Sequence, residues 1–474
     1  MKSIQLRGIA AAVSGALLLG AAPLALADST DDIINALIGK GVLTEEEGAL
    51  LQKGRAGEKE AAEKKKASEV KASFKDGITW ESGDKSTKMS VNGRIQLDSR
   101  TSDWSESSSG TDANANSADT FDIRRAYLGV KGTFWDYYSF EATADFAQNG
   151  SDLDVAYLNV HWWKEAQFQF GQFKMPFSLE ERTSSRFIDF QERSFVNNSN
   201  ITPGKEQGVM VHGTPFKGIN YALAYSTGQG KNTDETDVRE DSKDYVAHAD
   251  ANFAEIADIK DAVIHVGASY ANGDQPSTKS VSAQRTEGRG VEFFASGALT
   301  DDGRSVERTR QGVEGSFAYG PVKLQGEYAK AKYEGQSGVV DYEREIKAWY
   351  AEALWLITGE SYADSYKGGK YDRIKPKNNF NPKGQGWGAW EVGVRFSDFD
   401  ASDFTVANSA TTGRLTAGRT NEADSWTVGL KWLPNPNTRF LLNYVDTDFD
   451  SDVTIGNVTE DSEKSLTFRA QFDF

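Results

Sequence analysis

Ser465-Leu466-Thr467-Phe468-Arg469-Ala470-Gln471-Phe472-Asp473-Phe474 closes the chain, and its reading decides the fold. Successive side chains of an extended strand point to opposite faces. Leu466, Phe468, Ala470, Phe472 and Phe474 therefore share one face, and Ser465, Thr467, Arg469, Gln471 and Asp473 the other. An amphipathic last strand ending on an aromatic residue is the mark of a bacterial outer-membrane barrel.

The same period of two runs backward through the chain. Met89, Val91, Gly93, Ile95 and Leu97 alternate with Ser90, Asn92, Arg94, Gln96 and Asp98. Tyr138, Phe140, Ala142, Ala144 and Phe146 alternate with Ser139, Glu141, Thr143 and Asp145, and Trp426, Val428, Leu430 and Trp432 with Thr427, Gly429 and Lys431. A soluble sandwich alternates in the same way. Two further features favour a membrane. Aromatic residues gather at strand ends (Phe134-Trp135, Tyr137-Tyr138, Trp162-Trp163, Trp349-Tyr350), where interfacial girdles lie. Connections alternate between tight turns (134–137, 164–165, 320–321, 433–438) and long polar segments (101–118, 228–243, 360–384, 398–422), which reads as periplasmic turns and external loops. In lipid every backbone N–H and C=O needs an internal partner, and a closed sheet supplies one without an edge. Residues 71–474 are thus expected to form an all-β, transmembrane antiparallel barrel of about 16 strands. Eighteen would also fit.

The first 27 residues read as a secretory leader. Lys2 and Arg7 precede an apolar run from Ile9 to Leu24, and Ala25-Leu26-Ala27 forms a small-x-small cleavage site. Residues 28–70 are a helical, charged periplasmic segment. Asp31 to Ile38 is amphipathic and ends at Gly39, Thr44 caps a second helix with Glu47 completing a capping box, and a charged Ala/Glu/Lys tract follows. A solvated linker and a self-associating coiled coil both fit that tract.

The 474 residues include no cysteine, so an exported chain has neither disulfides nor thiol chemistry. The leader holds two of the 53 basic residues and none of the 70 acidic ones, giving the exported chain a net charge of −19. That acidity argues against a nucleic-acid partner. His161, His212, His248 and His265 lack metal-ligand spacing, and none is organised with a Ser into a nucleophilic motif. No catalytic residue, metal ligand or cofactor is expected.

Several segments carry a resemblance. They are Asn92-Gly93-Arg94-Ile95-Gln96, Arg124-Arg125-Ala126-Tyr127-Leu128, and Gly171-Gln172-Phe173-Lys174-Met175-Pro176-Phe177 leading to Thr183-Ser184-Ser185 and Gln191-Glu192-Arg193. Leu356-Ile357-Thr358-Gly359-Glu360, Ile374-Lys375-Pro376 and Gly388-Ala389-Trp390-Glu391 follow in order. Together they resemble the phosphate-selective porin O and P family of Gram-negative bacteria. The resemblance implies a trimeric porin of 16 strands in the outer membrane, among lipid and lipopolysaccharide, whose long third loop folds into the lumen. It also implies passive diffusion of small inorganic anions, with phosphate or polyphosphate as the candidates.

Residues 174–203 suit that loop, mixing apolar anchors (Met175, Phe177, Phe187, Phe190) with Lys174, Arg182, Arg186 and Arg193. Arg94, Arg125, Lys131 and Lys347 fall on the lumen phase of their strands. Strict alternation puts Arg124 on the opposite phase, so it sits above the lipid band or marks an irregularity. The resemblance assigns the Arg124–Arg125 pair to anion guidance, Arg94, Arg193 and Lys347 to the pore lining, and Asp154 to the constriction. Glu181 departs from the pattern, since phosphate-specific members carry lysine there. With the inward acids Asp98, Glu141 and Asp145, it leaves a general or cation-preferring porin as the alternative.

Overall fold

The structure is a computed structural model that describes residues 30–74, 77–104, 119–147, 150–198, 201–233, 242–276, 279–302 and 304–474. The leader expected over 1–27 lies outside the described residues. The chain divides into two units, 1–69 and 70–474. In the first, helix α1 (Thr30–Gly39) is joined to helix α2 (Glu45–Ser68). The capping box forms: the Glu47 amide donates to Thr44 Oγ1 at 3.2 Å, and the Thr44 amide donates to Glu47 Oε2 at 2.9 Å. Gly48 lets α2 approach Ile34 and Ile38 of α1, because a Cβ there would collide with Ile38.

The second unit is built from one large antiparallel sheet, with three two-stranded ribbons in its connections among the described residues. Its strands are β1 (Val70–Phe74), β2 (Ile78–Ser82), β3 (Lys88–Ser102), β4 (Thr120–Phe134), β5 (Tyr138–Asp145) and β6 (Asp152–Val160). Next come β7 (Gln167–Lys174), β8 (Lys205–Phe216), β9 (Ile219–Ser226), β10 (Asp244–Asn252), β11 (Ala262–Gln275) and β12 (Val306–Tyr319). The last are β13 (Val322–Ser337), β14 (Val340–Leu356), β15 (Ala389–Asp400), β16 (Glu422–Asn435), β17 (Thr438–Ile455) and β18 (Val458–Asp473). Each strand from β3 onward pairs with the next, and β18 returns to β3 from Ser465↔Ser102 to Asp473↔Arg94. Sixteen strands thus close a barrel. The hairpin β1–β2 continues the seam below the C-terminus, where β2 pairs with Lys88–Val91 of β3.

Alternation holds in the structure. On β3, Ser90, Asn92, Arg94, Gln96 and Asp98 turn inward and are buried, whereas Met89 and Ile95 face out. On β18, Ser465, Thr467, Arg469 and Gln471 turn inward, and Leu466, Phe468 and Phe472 face out. Trp135, Tyr137, Trp162 and Trp163 form part of an exposed aromatic ring at one end, but Tyr350 turns inward beside outward Trp349. The tight turns 135–137, 217–218, 320–321 and 436–437 share that end with the C-terminus, so it is the periplasmic one.

The rhythm of connections breaks at both ends: the external connections 338–339 and 456–457 are two-residue turns, and one periplasmic connection is long. Residues 357–388, which include the stretch 360–384 expected as an external loop, leave β14 and enter β15 at the periplasmic end. They are inserted rather than external: Tyr362 and Tyr371 are buried in a small core with Leu179, Leu354 and Leu356.

The barrel is filled on one side. Strands β5, β6, β7, β9 and β10 have eight or nine residues, whereas β12–β14 and β16–β18 have 14 to 18. Inside the tall wall, the loop 175–204 and a second inserted loop, 276–305, bury Phe177, Phe195, Phe293 and Phe294 against Phe399, Phe404 and Phe449. Open space of about 540 Å³ remains against the low wall.

Candidate functional site

That space is lined by Arg94, Lys174, Arg182, Arg186, Lys205 and Lys370, with Glu141 and Asp154 as the acids. Arg94 projects from β3; its Nη1 donates to Ser185 Oγ at 2.9 Å, and its guanidinium lies 4.1 Å from the Tyr127 ring centroid. Arg125 on β4 donates to Gln96 Oε1 at 3.0 Å. Arg124 marks an irregularity. The β3–β4 register slips between Gln96 and Leu97, so Arg125 pairs with Gln96 and Ile123 with Leu97. A bulge re-aims the extra residue, and Arg124 Nε reaches Glu192 of the inserted loop at 3.0 Å.

Within that loop, a single helical turn (Leu179–Arg182) is capped by Ser178, which accepts from the Glu181 amide at 3.2 Å. Glu181 is paired within the loop and does not line the space. Its carboxylate holds Arg193 Nε at 2.9 Å and Lys174 Nζ at 3.3 Å. Burial alone would raise this carboxyl, but Arg193 and Lys174 outweigh it and hold it below the ordinary range. Arg182 is likewise matched, with Asp250 at 2.9 Å and Glu314 at 3.7 Å. Lys205 pairs with Asp154, which also accepts from the Tyr127 hydroxyl at 3.1 Å. Asp98 is held by Arg469 at 2.6 Å.

After these pairings, three cations on the lining have no carboxylate partner among the described residues: Arg94, Arg186 and Lys370. Arg186 lies beside Ser184 Oγ (Nε at 3.5 Å) and over the Phe187 ring at 5.3 Å. Lys370 comes from the periplasmic insertion, whose Tyr366–Lys367 and Lys370–Tyr371 pair as a hairpin around Gly368-Gly369. Both glycines have positive φ (57° and 76°), as a two-residue turn of this kind requires. The tip presses on the loop and on β10: Arg182 Nη2 donates to Gly368 O at 3.5 Å, and a Cβ on Gly369 would meet the Asp250 carboxylate at 2.5 Å.

The loop is bolted to the tall wall. Arg395 binds Glu180 at 3.3 Å and Glu287 at 2.5 Å and donates to Glu192 O at 3.2 Å. Arg439 donates to the carbonyls of Arg186 and Ile188, and Arg469 to that of Gln191. Lys323 pairs with Asp189 at 2.5 Å. Burial opposes ionisation of Asp189 and Glu192, yet Lys323 brings Asp189 down to about 2, and Arg124 and Arg469 hold Glu192 well below its usual range.

Of the residues singled out from the sequence, Arg94, Asp154, Lys174, Arg182 and Arg186 line one space, and Arg124, Arg125 and Arg193 stand in the network behind it. Lys347 does not belong. It faces outward with Trp349, beside Glu345 at 3.2 Å, because Ile346, Ala348 and Tyr350 take the inward phase of β14. Lys205, Lys370 and the loop 276–305 were not read as parts of the site. The Gly-Gly turn between tyrosines was the available signal for Lys370, and the apolar residues Val291, Phe293 and Phe294 that for the loop.

A closed barrel of 16 strands, with inserted loops narrowing an inner cationic space, defines a porin: a channel of the Gram-negative outer membrane and not an enzyme. The family model for phosphate-selective porin O and P matches residues 89–474, and the chain belongs to that family. Porin O of Pseudomonas aeruginosa is 26% identical over 432 residues, covering 84% of this chain and 91% of that protein. The anion-selective porin from Comamonas acidovorans shares the fold at a TM-score of 0.52 and 11% identity, over 82% of this chain and 100% of that one. The outer membrane channel DcaP of Acinetobacter baumannii does so at 0.50 and 13%, over 82% and 97%.

Proposed function

We propose that this porin passes small inorganic anions down their gradient, phosphate or polyphosphate foremost, through a constriction formed by Arg94, Arg186 and Lys370. One observation carries the reading: these three cations lack carboxylate partners among the described residues, whereas Asp154 is matched by Lys205 and Glu181 by Arg193 and Lys174, which leaves Glu141, held by the Tyr157 and Thr143 hydroxyls, as the single lining acid against them. Arg94 and Arg186 offer planar forks suited to an oxyanion, and the hydroxyls of Ser184 and Ser185 lie beside them. Sharing the solute among several donors keeps any one from trapping it. Arg125, hydrogen-bonded to Gln96, adds positive potential behind Arg94, Arg124 is matched by Glu192 of the loop, and Lys174, Arg182 and Arg193 hold the loop that presents the constriction.

Assembly as a homotrimer completes this reading, with lipopolysaccharide around the outer rim. A strand of eight residues rises about 27 Å and, tilted by roughly 40°, spans only about 20 Å of an apolar band about 25 Å tall. The low wall at β5–β7 is therefore best covered by neighbouring copies.

Planar-bilayer recordings under a potassium chloride gradient test the proposal. An anion-selective reversal potential, with chloride current blocked saturably by phosphate or pyrophosphate, is expected. A cation-selective sign overturns it in favour of the general porin.

A further inference from the structure

Between Arg373 and Trp390 the chain carries Lys375, Lys377 and Lys383 and no acidic residue, although its net charge is −17. This stretch leaves the lumen and closes on itself over 378–388. The Asn381 amide donates to Gly386 O at 3.0 Å and the Gly388 amide to Asn378 O at 3.1 Å. The Phe380 amide ties it to the next periplasmic turn, at Pro434 O (2.6 Å).

Its aromatic residues join the outer face. The Phe380 ring meets Trp432 edge-on at 5.2 Å, and Trp432 stacks between Trp390 (5.4 Å) and Phe440 (5.5 Å), which stacks on Phe468. Trp432 Nε1 donates to Trp387 O at 2.9 Å, and the Trp387 ring is 70% exposed. Rings at this level mark the boundary between lipid and periplasmic water. Lys375, Lys377 and Lys383 are exposed along this stretch, and none of their ammonium groups has a carboxylate partner among the described residues, although Glu360 accepts from the Lys377 backbone amide at 3.0 Å. The Lys377 ammonium rests on Gly359 O at 2.5 Å.

We propose that the loop 375–388 is a binding site for an anionic phospholipid of the periplasmic leaflet. Trp387 and Phe380 set its depth at the acyl boundary, and the three lysines meet the phosphate of the head group. Basic residues held at an anionic lipid surface each add to affinity, and aromatic anchors fix the depth at which they act. The site goes beyond the transport reading. It depends on the barrel's orientation in the membrane and not on the solute.

The test compares wild type with K375Q/K377Q/K383Q in mixed micelles carrying equal amounts of phosphatidylglycerol and phosphatidylethanolamine of matched chains, with retained lipid read by native mass spectrometry. Wild type is expected to keep phosphatidylglycerol with a roughly tenfold preference, and the triple variant close to none. Heat-modifiable gel migration and unchanged channel conductance show that the variant is folded. W387A should lower retention of both lipids together. Equal phosphatidylglycerol retention by wild type and the triple variant overturns the proposal, as do cross-links through Lys383 that place the loop between two copies of the chain.

Discussion

Lys370 and Arg186 reach the narrow space from opposite inserted segments, one periplasmic and one external, and neither has a carboxylate partner among the described residues. Removing a unit charge there changes the local potential by a fraction of a kcal/mol in water and by more where water is restricted. K370Q and R186Q should each lower the anion-to-cation permeability ratio about two- to threefold, read from reversal potentials. K347Q should leave the ratio unchanged, because that lysine faces outward. The carboxylates of the loop set its pH response. Glu181, Glu192 and Asp189 are all held below their ordinary values, so their stabilising contribution is complete above the unfolded carboxylate range, near pH 4 to 4.5. It is lost as pH falls through the lowered values, about 2 for Asp189. Selectivity should persist from pH 7 to pH 5 and fail only in stronger acid, as bilayer recordings at stepped pH would show. At this scale the sequence was legible wherever strand phase met a charge. The break in phase at Arg124 signalled the bulge. It misled at Lys347, because the inward face of β14 meets inserted apolar chain, and there the usual sign of the alternation reverses.

The loop 175–204 owes its position to the buried cations of the tall wall. Arg395 is the central bolt, since it meets Glu180, Glu287 and a loop carbonyl together. R395M strands two buried carboxylates, a change that costs about 3–5 kcal/mol. The expected result is a noisier channel of larger single-channel conductance, with a barrel that denatures at lower temperature in a heat-modifiability gel. Unchanged current noise would show that the apolar anchors Met175, Phe177 and Phe190 hold the loop alone. This loop was readable because its anchors and charges sit between two clean strands. The loop 276–305 was not, because its contribution is a short aromatic run whose burial depends on the partners Phe399 and Phe449, more than 100 residues away. Residues 357–388 were read as external because length alone sorted the connections, and length does not record which end of a strand a segment leaves.

Across the whole barrel, the amphipathic closing strand was plain from the period of two and chain length gave about 16 strands with 18 also open, while the uneven filling was not legible, since it arises from loops meeting far from their origin. The two walls divide the work: the tall one carries packed chain and the low one the passage. Deleting 361–385 tests this division. Leu356 and Glu391 are already register partners, so a short turn can rejoin β14 to β15. The shortened protein should still close as a barrel, with larger conductance and weaker anion preference, because Lys370 and the tyrosines around it leave together.

Sixteen staves make a hoop far wider than any inorganic ion, so the hoop is not what sieves. The sieve is an inlay of three separate pieces, and each can be recut while the staves stay as they are. Relatives built on the same frame can therefore diverge in what they admit by editing a few dozen inlaid residues, with no change to how the cask is coopered.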